Sequence, residues 1–246
     1  LAMEEARTAE EVSQFLASLF RVSEPSAVDV DSITARAVLD RGVERIREEL
    51  ADEPVVRSRL MLTMGNVYAQ LGLLDEAEQL LEEAREVRQS LPGIDRHSLA
   101  EIDASIAGVK HLAGEHEAAV ALYQQVIADV GDSQADVLWL ATVHRSLGGV
   151  LDTLGRPAEA IDVYERSTSL LEQSGNAVST EYARVLRNIG MAHWSLQEYD
   201  EARPYYEASL ATYDQVLEDG HPEVSYVVNA LAILNYNLGD YAAARP

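Results

Sequence analysis

The feature that most constrains this chain is a pattern that recurs at intervals of 42, 41, 42 and 42 residues. In its first copy, Gly65 and an aromatic residue one turn later precede a glycine, and an alanine follows that glycine five residues on. The glycine position falls at Gly72, Gly114, Gly155, Gln197 and Gly239. The alanine position falls at Ala77, Ala119, Ala160, Ala202 and Ala244. A fixed period of this size indicates a repeat array, in which each unit buries its apolar faces against its neighbours.

Each copy predicts two helices joined by a tight turn. A small residue stands seven positions before the turn in every copy: Gly65, Ala107, Gly148, Gly190 and Ala232. Residues this small allow two helix axes to approach to the short end of the usual range of about 8–10 Å. A larger residue on the second helix is expected to fill the space between one pair and the next: Leu81, Tyr123, Tyr164 and Tyr206. No run alternates between apolar and polar residues, so we predict an all-α fold.

These residues resemble the tetratricopeptide repeat (TPR), and the match runs from Val55 to Pro246 in five copies. The period, longer than the standard of about 34 residues, and the linker Asp219–Val224 are similar to the kinesin-light-chain subtype. The resemblance implies a right-handed TPR superhelix, or α-solenoid, of antiparallel helix pairs. We therefore predict linking and capping helices in residues 1–53, followed by an array of about five repeats in residues 54–246 whose last member is truncated.

Two helices are predicted ahead of the array. Glu4–Phe20 carries one apolar stripe at helical spacing, and a second helix is predicted from Thr34 to Leu50. Repeat arrays need protected ends, so we expect these two helices to cap the first repeat. Because the chain starts without methionine and stops within a predicted helix, we also expect it to be a fragment of a longer protein.

The same region carries a second resemblance. Ser13–Pro25 and Thr34–Ile46, running into Pro54, resemble the region just after the catalytic domain in bacterial eukaryotic-like serine/threonine protein kinases that carry TPR arrays. This resemblance implies a kinase domain upstream of Leu1, with ATP and Mg²⁺ bound there, and makes this chain the docking or sensor part. A TPR scaffold attached to another effector, such as a transcriptional regulator or a signalling NTPase, stays open as the alternative.

The chain itself shows no catalytic pattern. The Gly-rich loop and the His-Arg-Asp catalytic loop of kinases are both absent. There is no cysteine, and His111 and His116 are five residues apart rather than the four of a helical zinc pair. We therefore expect no enzyme activity, no metal site and no cofactor in this chain.

The charge and hydropathy of the chain limit the classes of partner that it can bind. The net charge of −23 argues against binding to nucleic acid or to anionic membranes, whose phosphates attract basic surfaces. No apolar run reaches the roughly 18 residues that a membrane span needs. We expect a cytoplasmic chain whose partner is a protein or peptide.

The resemblance also predicts where a partner binds, because the first helices of a TPR superhelix line its concave groove. The groove positions lie between the packing residues, at offsets −6, −3, −2, +1 and +4 from the small residue. The predicted partner-binding residues are Arg59, Asn66, Arg145, Arg184, Arg187, Asn188, Trp194, Asn229 and Tyr236.

The chemistry of these residues suggests what the groove holds. Asn188 resembles the asparagine that clamps peptide backbone in TPR grooves, since an amide bonds both N–H and C=O groups. The planar fork of arginine suits carboxylate or phosphate, and Trp194 and Tyr236 offer apolar anchors. We hypothesise an extended partner segment that carries acidic or phosphorylated residues. The alternative is that the arginines pair with acids on the same face, such as Glu101 and Asp152, and bind nothing.

Overall fold

The computed structural model describes residues 35–93, 96–131, 137–218 and 220–240, and every regular element within these ranges is an α-helix. The ten helices are α1 (Ala35–Glu49), α2 (Pro54–Gln70), α3 (Leu74–Gln89), α4 (Arg96–Leu112), α5 (His116–Val130), α6 (Val137–Thr153), α7 (Pro157–Gln173), α8 (Thr180–Ser195), α9 (Tyr199–Val216) and α10 (Pro222–Asn237). The predicted all-α class is confirmed. The first predicted leading helix, Glu4–Phe20, lies outside the described residues.

The described residues fall into two compact units, one up to Gly114 and one from Glu115 onward. In unit 1, α2 packs along α3 and α3 along α4. In unit 2, each helix from α5 to α9 packs along the next one. Helices α2, α4, α6, α8 and α10 are the first helices of the successive repeats, and α3, α5, α7 and α9 are the second helices.

The small position of the repeat is explained by a close approach within each helix pair. A Cβ atom built on Gly148 would lie 2.3 Å from the ring of Tyr164, a separation that real Cβ atoms do not reach. A Cβ on Gly65 would lie 2.7 Å from Leu81 Cγ. The larger residue therefore fills space inside its own pair, because it stands directly opposite the small residue. It also reaches the next pair as predicted, since Tyr123 and Tyr164 hydrogen-bond Ser146 and Asn188 on the first helix of the following repeat.

The turns between paired helices share one backbone geometry. After α6, Gly155 has a φ of 71°, and the N–H of Arg156 donates to the carbonyl of Leu151 at 2.9 Å. This is the Schellman arrangement, which needs a left-handed residue and so favours glycine. Gln197 takes the same position after α8 with a φ of 64°, and it is the only non-glycine residue with positive φ in the described part of the chain.

Helix α1 packs on the first repeat, at the place predicted for the second leading helix. Two of its apolar side chains are buried: Val43 and Ile46. Polar contacts supplement them, because Tyr68 Oη donates to Asp40 Oδ1 at 2.7 Å. Arg47 of α1 also donates twice to Glu83 of α3, at 3.0 and 2.6 Å. Helix α1 is thus fixed to both helices of the first repeat.

Candidate functional site

Three predicted groove arginines come together with two glutamates on the first helices of unit 2. Arg145 of α6 donates through Nε to Glu181, in the first turn of α8. Arg184 of α8 donates to Glu181 at 3.0 Å and to Glu223, in the first turn of α10, at 3.3 Å. Arg187 donates through Nη1 to the other oxygen of Glu223. These five residues form the charged cluster of unit 2, which links α6, α8 and α10.

The charged cluster is partly exposed, so solvent and other molecules reach it. The arginine side chains retain 20–33% of their accessible surface and the glutamates 21–24%. Burial by itself raises the pKa of Glu223, but attraction by Arg187 and Arg184 outweighs it and leaves that pKa below its ordinary value. Arg187 Nε is buried and has no hydrogen-bond partner among the described residues. One donor of the cluster therefore lacks an acceptor.

The two glutamates are the residues that sequence reasoning missed. Both occupy the position nine residues before the small residue of their repeat, and each lies 36 residues after an arginine that it binds. This spacing means that the middle of one first helix meets the start of the next first helix. In unit 1 the corresponding positions hold Leu62 and Ser98, so the pair does not recur there. The sequence did contain a signal for these ion pairs: an arginine in one copy is followed by a glutamate 36 residues later in the next copy.

The acids expected to pair with the arginines have other contacts. Asp152 Oδ2 accepts a hydrogen bond from Tyr164 Oη at 2.8 Å, and Glu101 lies 3.3 Å from His97 Nε2. Burial raises the pKa of Asp152 above its ordinary value, and the bond from Tyr164 only partly opposes this. The amide of Asn188 also hydrogen-bonds to the phenol oxygen of Tyr164. This bond joins Asn188 of α8 to α7, the second helix of the preceding repeat.

Large apolar side chains lie exposed beside the charged cluster. We call them the aromatic stripe of unit 2: Met191 and Trp194 on α8, and Tyr226, Ile233 and Tyr236 on α10, which are 40–66% exposed. On α8 they continue the row of Arg184 and Arg187 at spacings of three or four residues, so they share its face. Asn229 is exposed in the same row of α10.

Arg187 binds Glu223, so the middle of α8 lies beside the start of α10, the helix that carries the other half of the stripe. The indole ring of Trp194 lies 6.5 Å from the ring of Tyr199. The stripe thus consists of exposed side chains on two helices of unit 2.

The remaining predicted residues lie in unit 1. Arg59 and Asn66 stand two turns apart on α2, and both are partly exposed. Within the described ranges, no three His, Asp or Glu side chains are arranged to hold a metal ion. Nor is any described helix long and apolar enough to cross a membrane.

Comparison with known proteins identifies the repeat. The family model described as "Tetratricopeptide repeat" matches residues 57–130 and 181–246. Two curated proteins of Arabidopsis thaliana are similar in sequence. The Protein KINESIN LIGHT CHAIN-RELATED 3 is 23% identical over 182 residues, which are 74% of this chain and 28% of that protein. The Protein KINESIN LIGHT CHAIN-RELATED 2 is 22% identical over 176 residues, and this chain spans only 26% of its length.

Solved structures agree on the fold. BtubC (BKLC) from P. vanneervenii has a TM-score of 0.76 at 22% identity, over 86% of this chain and 87% of that chain. The apo form of RapI has a TM-score of 0.71 at 12% identity, over 96% of this chain and 73% of that chain. At these identities the similarity establishes the helical-repeat architecture and nothing about partners.

Proposed function

Because the chain belongs to the tetratricopeptide repeat family, a fold suited to protein–protein interaction, we propose that it is a non-catalytic docking region for an extended protein segment. The observation that carries this proposal is the aromatic stripe of unit 2. Exposed apolar patches next to polar groups are typical of sites that bind other proteins. Met191, Trp194, Tyr226, Ile233 and Tyr236 form such a patch, and the charged cluster borders it.

The proposed site uses both halves of this face. Trp194 and Tyr236 bury apolar side chains of the partner, and large aromatic residues are the ones that contribute most to such interfaces. Asn229 and Asn188 bond the backbone of the partner segment, because amides both donate and accept. Arg59 and Asn66 also belong to the proposal. They occupy, on α2 of unit 1, the repeat positions that Arg184 and Met191 occupy on α8.

The charge of the cluster supports the proposal that the partner carries an anionic group. Arg145, Arg184 and Arg187 share only two glutamates, so the cluster retains one positive charge in excess. We propose that this excess charge attracts an acidic or phosphorylated residue of the partner, since guanidinium groups bind both carboxylate and phosphate.

The origin of the chain is a separate proposal. The resemblance of residues 13–25 and 34–46 supports a bacterial serine/threonine kinase as the parent protein, working in the cytoplasm with its catalytic domain upstream. A different effector attached to the same scaffold is the alternative. The upstream reading frame decides between them: His-Arg-Asp and Asp-Phe-Gly motifs there support the kinase, and their absence from a complete frame contradicts it.

The binding proposal is tested with exposed residues, whose replacement leaves the helical core intact. We expect Trp194→Ser combined with Tyr236→Ser to lower the capture of a partner from an extract of the source cells at least tenfold, since the loss of two aromatic anchors costs several kcal/mol. Val178→Ser is the matched control, because Val178 is 58% exposed but lies outside the stripe. Equal capture by both variants, quantified by mass spectrometry, contradicts the proposed site.

A further inference from the structure

A cleft of about 310 Å³ lies between α1 and α3 in unit 1, and we call it the α1–α3 cleft. Tyr68 of α2 and two buried apolar side chains, Val43 and Leu80, line its inner part. The other lining residues are polar: Asp40, Arg41, Glu44, Arg47, Glu76 and Gln79. Small-molecule sites occupy about 300–1,000 Å³, so this cleft has room for one small ligand or one side chain of a partner.

Two ion pairs between α1 and α3 bound the cleft. Arg36 of α1 donates to Glu76 near the start of α3. Further along both helices, Arg47 donates twice to Glu83, at 3.0 and 2.6 Å. These pairs fix the register of the two helices, so the side chains between them face one another across the cleft. The α1–α3 cleft is therefore preformed in the chain.

The side chains between the ion pairs mainly present hydrogen-bond acceptors. Asp40 accepts one bond from Tyr68 at Oδ1, and its Oδ2 is 3.7 Å from Arg36 Nε, beyond hydrogen-bond distance. Burial, and then the bond to Asp40, raise the pKa of Tyr68 above its ordinary value, so its neutral oxygen can still accept. Gln79 directs its Nε2 to Glu83 at 3.4 Å, which leaves its Oε1 as an acceptor. A ligand of the cleft therefore has to supply donors.

The charge of the cleft points the same way. Three lining carboxylates against two lining guanidinium groups leave one negative charge in excess. Of the two arginines, Arg47 already donates to Glu44 and Glu83, and Arg41 is exposed at the edge. We infer that the α1–α3 cleft binds a primary ammonium group on an aliphatic stem, as carried by a partner's lysine or by a free polyamine.

Such a group fits both parts of the cleft. Its methylene stem buries apolar surface against Val43 and Leu80, as the stems of lysine side chains do on protein surfaces. An ammonium group has three donors and no acceptor, and Asp40, Tyr68 and Gln79 offer three acceptors. An anion would meet the excess negative charge, and like charges brought together disfavour binding. The site goes beyond the proposed function, because it uses α1 and a second helix, whereas the proposed docking face uses first helices.

Three probes with the same four-carbon stem test the inference: n-butylammonium, n-butanol and butyrate. Binding to the ¹⁵N-labelled whole chain is followed by NMR chemical-shift titration at fixed ionic strength, which gives both the affinity and the location. We expect butylammonium to shift amides of α1 and α3 and to bind about tenfold more tightly than butanol, because only it makes charge-assisted bonds. Butyrate should leave these amides unchanged.

Two further probes distinguish the sources of the ammonium group. These are spermidine and a lysine that is acetylated at its α-amino group and carries a methylamide at its carboxyl group. Tighter binding of the capped lysine indicates a lysine of a partner protein, and tighter binding of spermidine indicates a free polyamine. Either result supports the inference.

Variants of the lining residues test the assignment of the acceptors. Asp40→Asn removes the charge but leaves Tyr68 an acceptor, and it should weaken butylammonium about tenfold. Glu86→Gln is the matched control, because it removes an exposed carboxylate of α3 that does not line the cleft. Arg41→Gln should tighten binding about two- to threefold, since a like charge leaves the edge. Gln79→Leu, at an exposed position, should weaken binding about threefold and is the second variant if Asp40→Asn disturbs folding.

The outcomes separate the inference from its alternatives. A preference for butylammonium that is lost in Asp40→Asn and kept in Glu86→Gln supports it. Equal binding of butylammonium and butanol, tighter binding of butyrate, or shifts confined to helices other than α1 and α3 overturn it. Unchanged affinity in both Asp40→Asn and Gln79→Leu overturns it as well. The docking face of unit 2 is tested separately by Trp194 and Tyr236, so failure of one proposal leaves the other standing.

Discussion

The α2–α3 pair of unit 1 and the α6–α7 pair of unit 2 meet the same packing requirement with different side chains. In unit 1, Leu81 packs against Gly65, and the contact is apolar and flexible. In unit 2, Tyr164 packs its ring against Gly148 and directs its hydroxyl to Asp152. The backbone spacing is kept in both cases, because glycine admits either a branched aliphatic or a flat ring.

A second difference concerns a buried hydroxyl. In unit 2, Ser167 of α7 donates across the pair to the carbonyl of Ala141 at 2.7 Å. The corresponding residue of unit 1 is Ala84, and the hydroxyl stands on the first helix as Ser58, bonded to its own helix at 3.0 Å. The pair α8–α9 repeats the unit 2 arrangement with Ser209.

The third difference lies on the first-helix face. Where unit 1 has Leu62 and Ser98, unit 2 has Arg145 and Glu181, which join successive first helices. Ion pairs therefore join successive repeats in both units, but in unit 1 they link α3 to α4, through Arg85–Asp103 at 2.8 Å and Lys110–Glu78 at 2.5 Å. The comparison teaches that one repeat pattern tolerates ion pairs on different helices, so the charges of the first-helix face can change while the fold is kept.

The sharpest way to test the close approach is Gly148→Ala. Its new Cβ would fall 2.3 Å from the rigid ring of Tyr164, so we expect unfolding free energy to drop by about 2 kcal/mol. Gly149→Ala is the neighbouring control, since the nearest atom there is 3.9 Å away and alanine favours the helix by up to about 1 kcal/mol. Urea unfolding followed by circular dichroism measures both. Equal loss in the two variants would show that the ring is not the obstacle.

Gly65→Ala extends that test to unit 1. Its Cβ meets Leu81, whose side chain rotates away more readily than a ring. The expected loss is therefore smaller, about 1 kcal/mol. A loss as large as that of Gly148→Ala would remove this distinction between the two units.

The hydroxyl of Tyr164 is tested by Tyr164→Phe. We expect a loss of about 1–2 kcal/mol at pH 7, because half-buried Asp152 loses its donor. Burial already raises the pKa of Asp152, and the variant raises it further. Since the folded pKa lies above the unfolded value of about 3.9, the penalty grows as pH rises through the folded pKa and shrinks toward pH 4.

Tyr206→Phe is the matched control for that pH dependence. Burial raises the pKa of Tyr206 to about 12, but Trp194 stands where Asp152 stands in the preceding repeat. We expect a loss of at most about 0.5 kcal/mol that is equal at pH 4 and pH 7. A pH-dependent loss here, or a pH-independent one in Tyr164→Phe, would disprove the role given to Asp152.

Ser167→Ala converts the unit 2 pair to the composition of unit 1. The cross-pair bond to Ala141 is lost, and we expect about 1 kcal/mol of destabilisation. Ser58→Ala should cost less than about 0.5 kcal/mol, because its hydroxyl only doubles a bond within its own helix. Similar values for the two variants would mean that the cross-pair bond adds nothing.

The smallest expected effect is at the turn after α8. Gln197 has a φ of 64°, so Gln197→Gly should stabilise the chain by about 0.5–1 kcal/mol. Gly155→Gln, at a φ of 71°, should destabilise it by a similar amount. If both substitutions change the urea midpoint in the same direction, backbone strain is not the cause.

The sequence by itself determined the repeat, its length and the helical class. Glycines and alanines at fixed intervals mark the turns and the close approaches between helices. These requirements are local, so each copy of the repeat contains the necessary small residues independently of the other copies. The position of α1 followed from its apolar stripe for the same reason. Predicting the groove residues from their offsets also placed Arg145, Arg184 and Arg187 on the first helices of unit 2.

Only the tertiary structure decided how those residues are used. It paired the arginines with Glu181 and Glu223 instead of Glu101 and Asp152, because the lateral register between successive first helices sets which positions meet. Periodicity reports the distance along the chain between copies and says nothing about that register. The same reason explains why Tyr164 faces Gly148 within its pair. The packing of α6 against α7 determines this contact, whereas the repeat pattern identifies only the positions of the two residues.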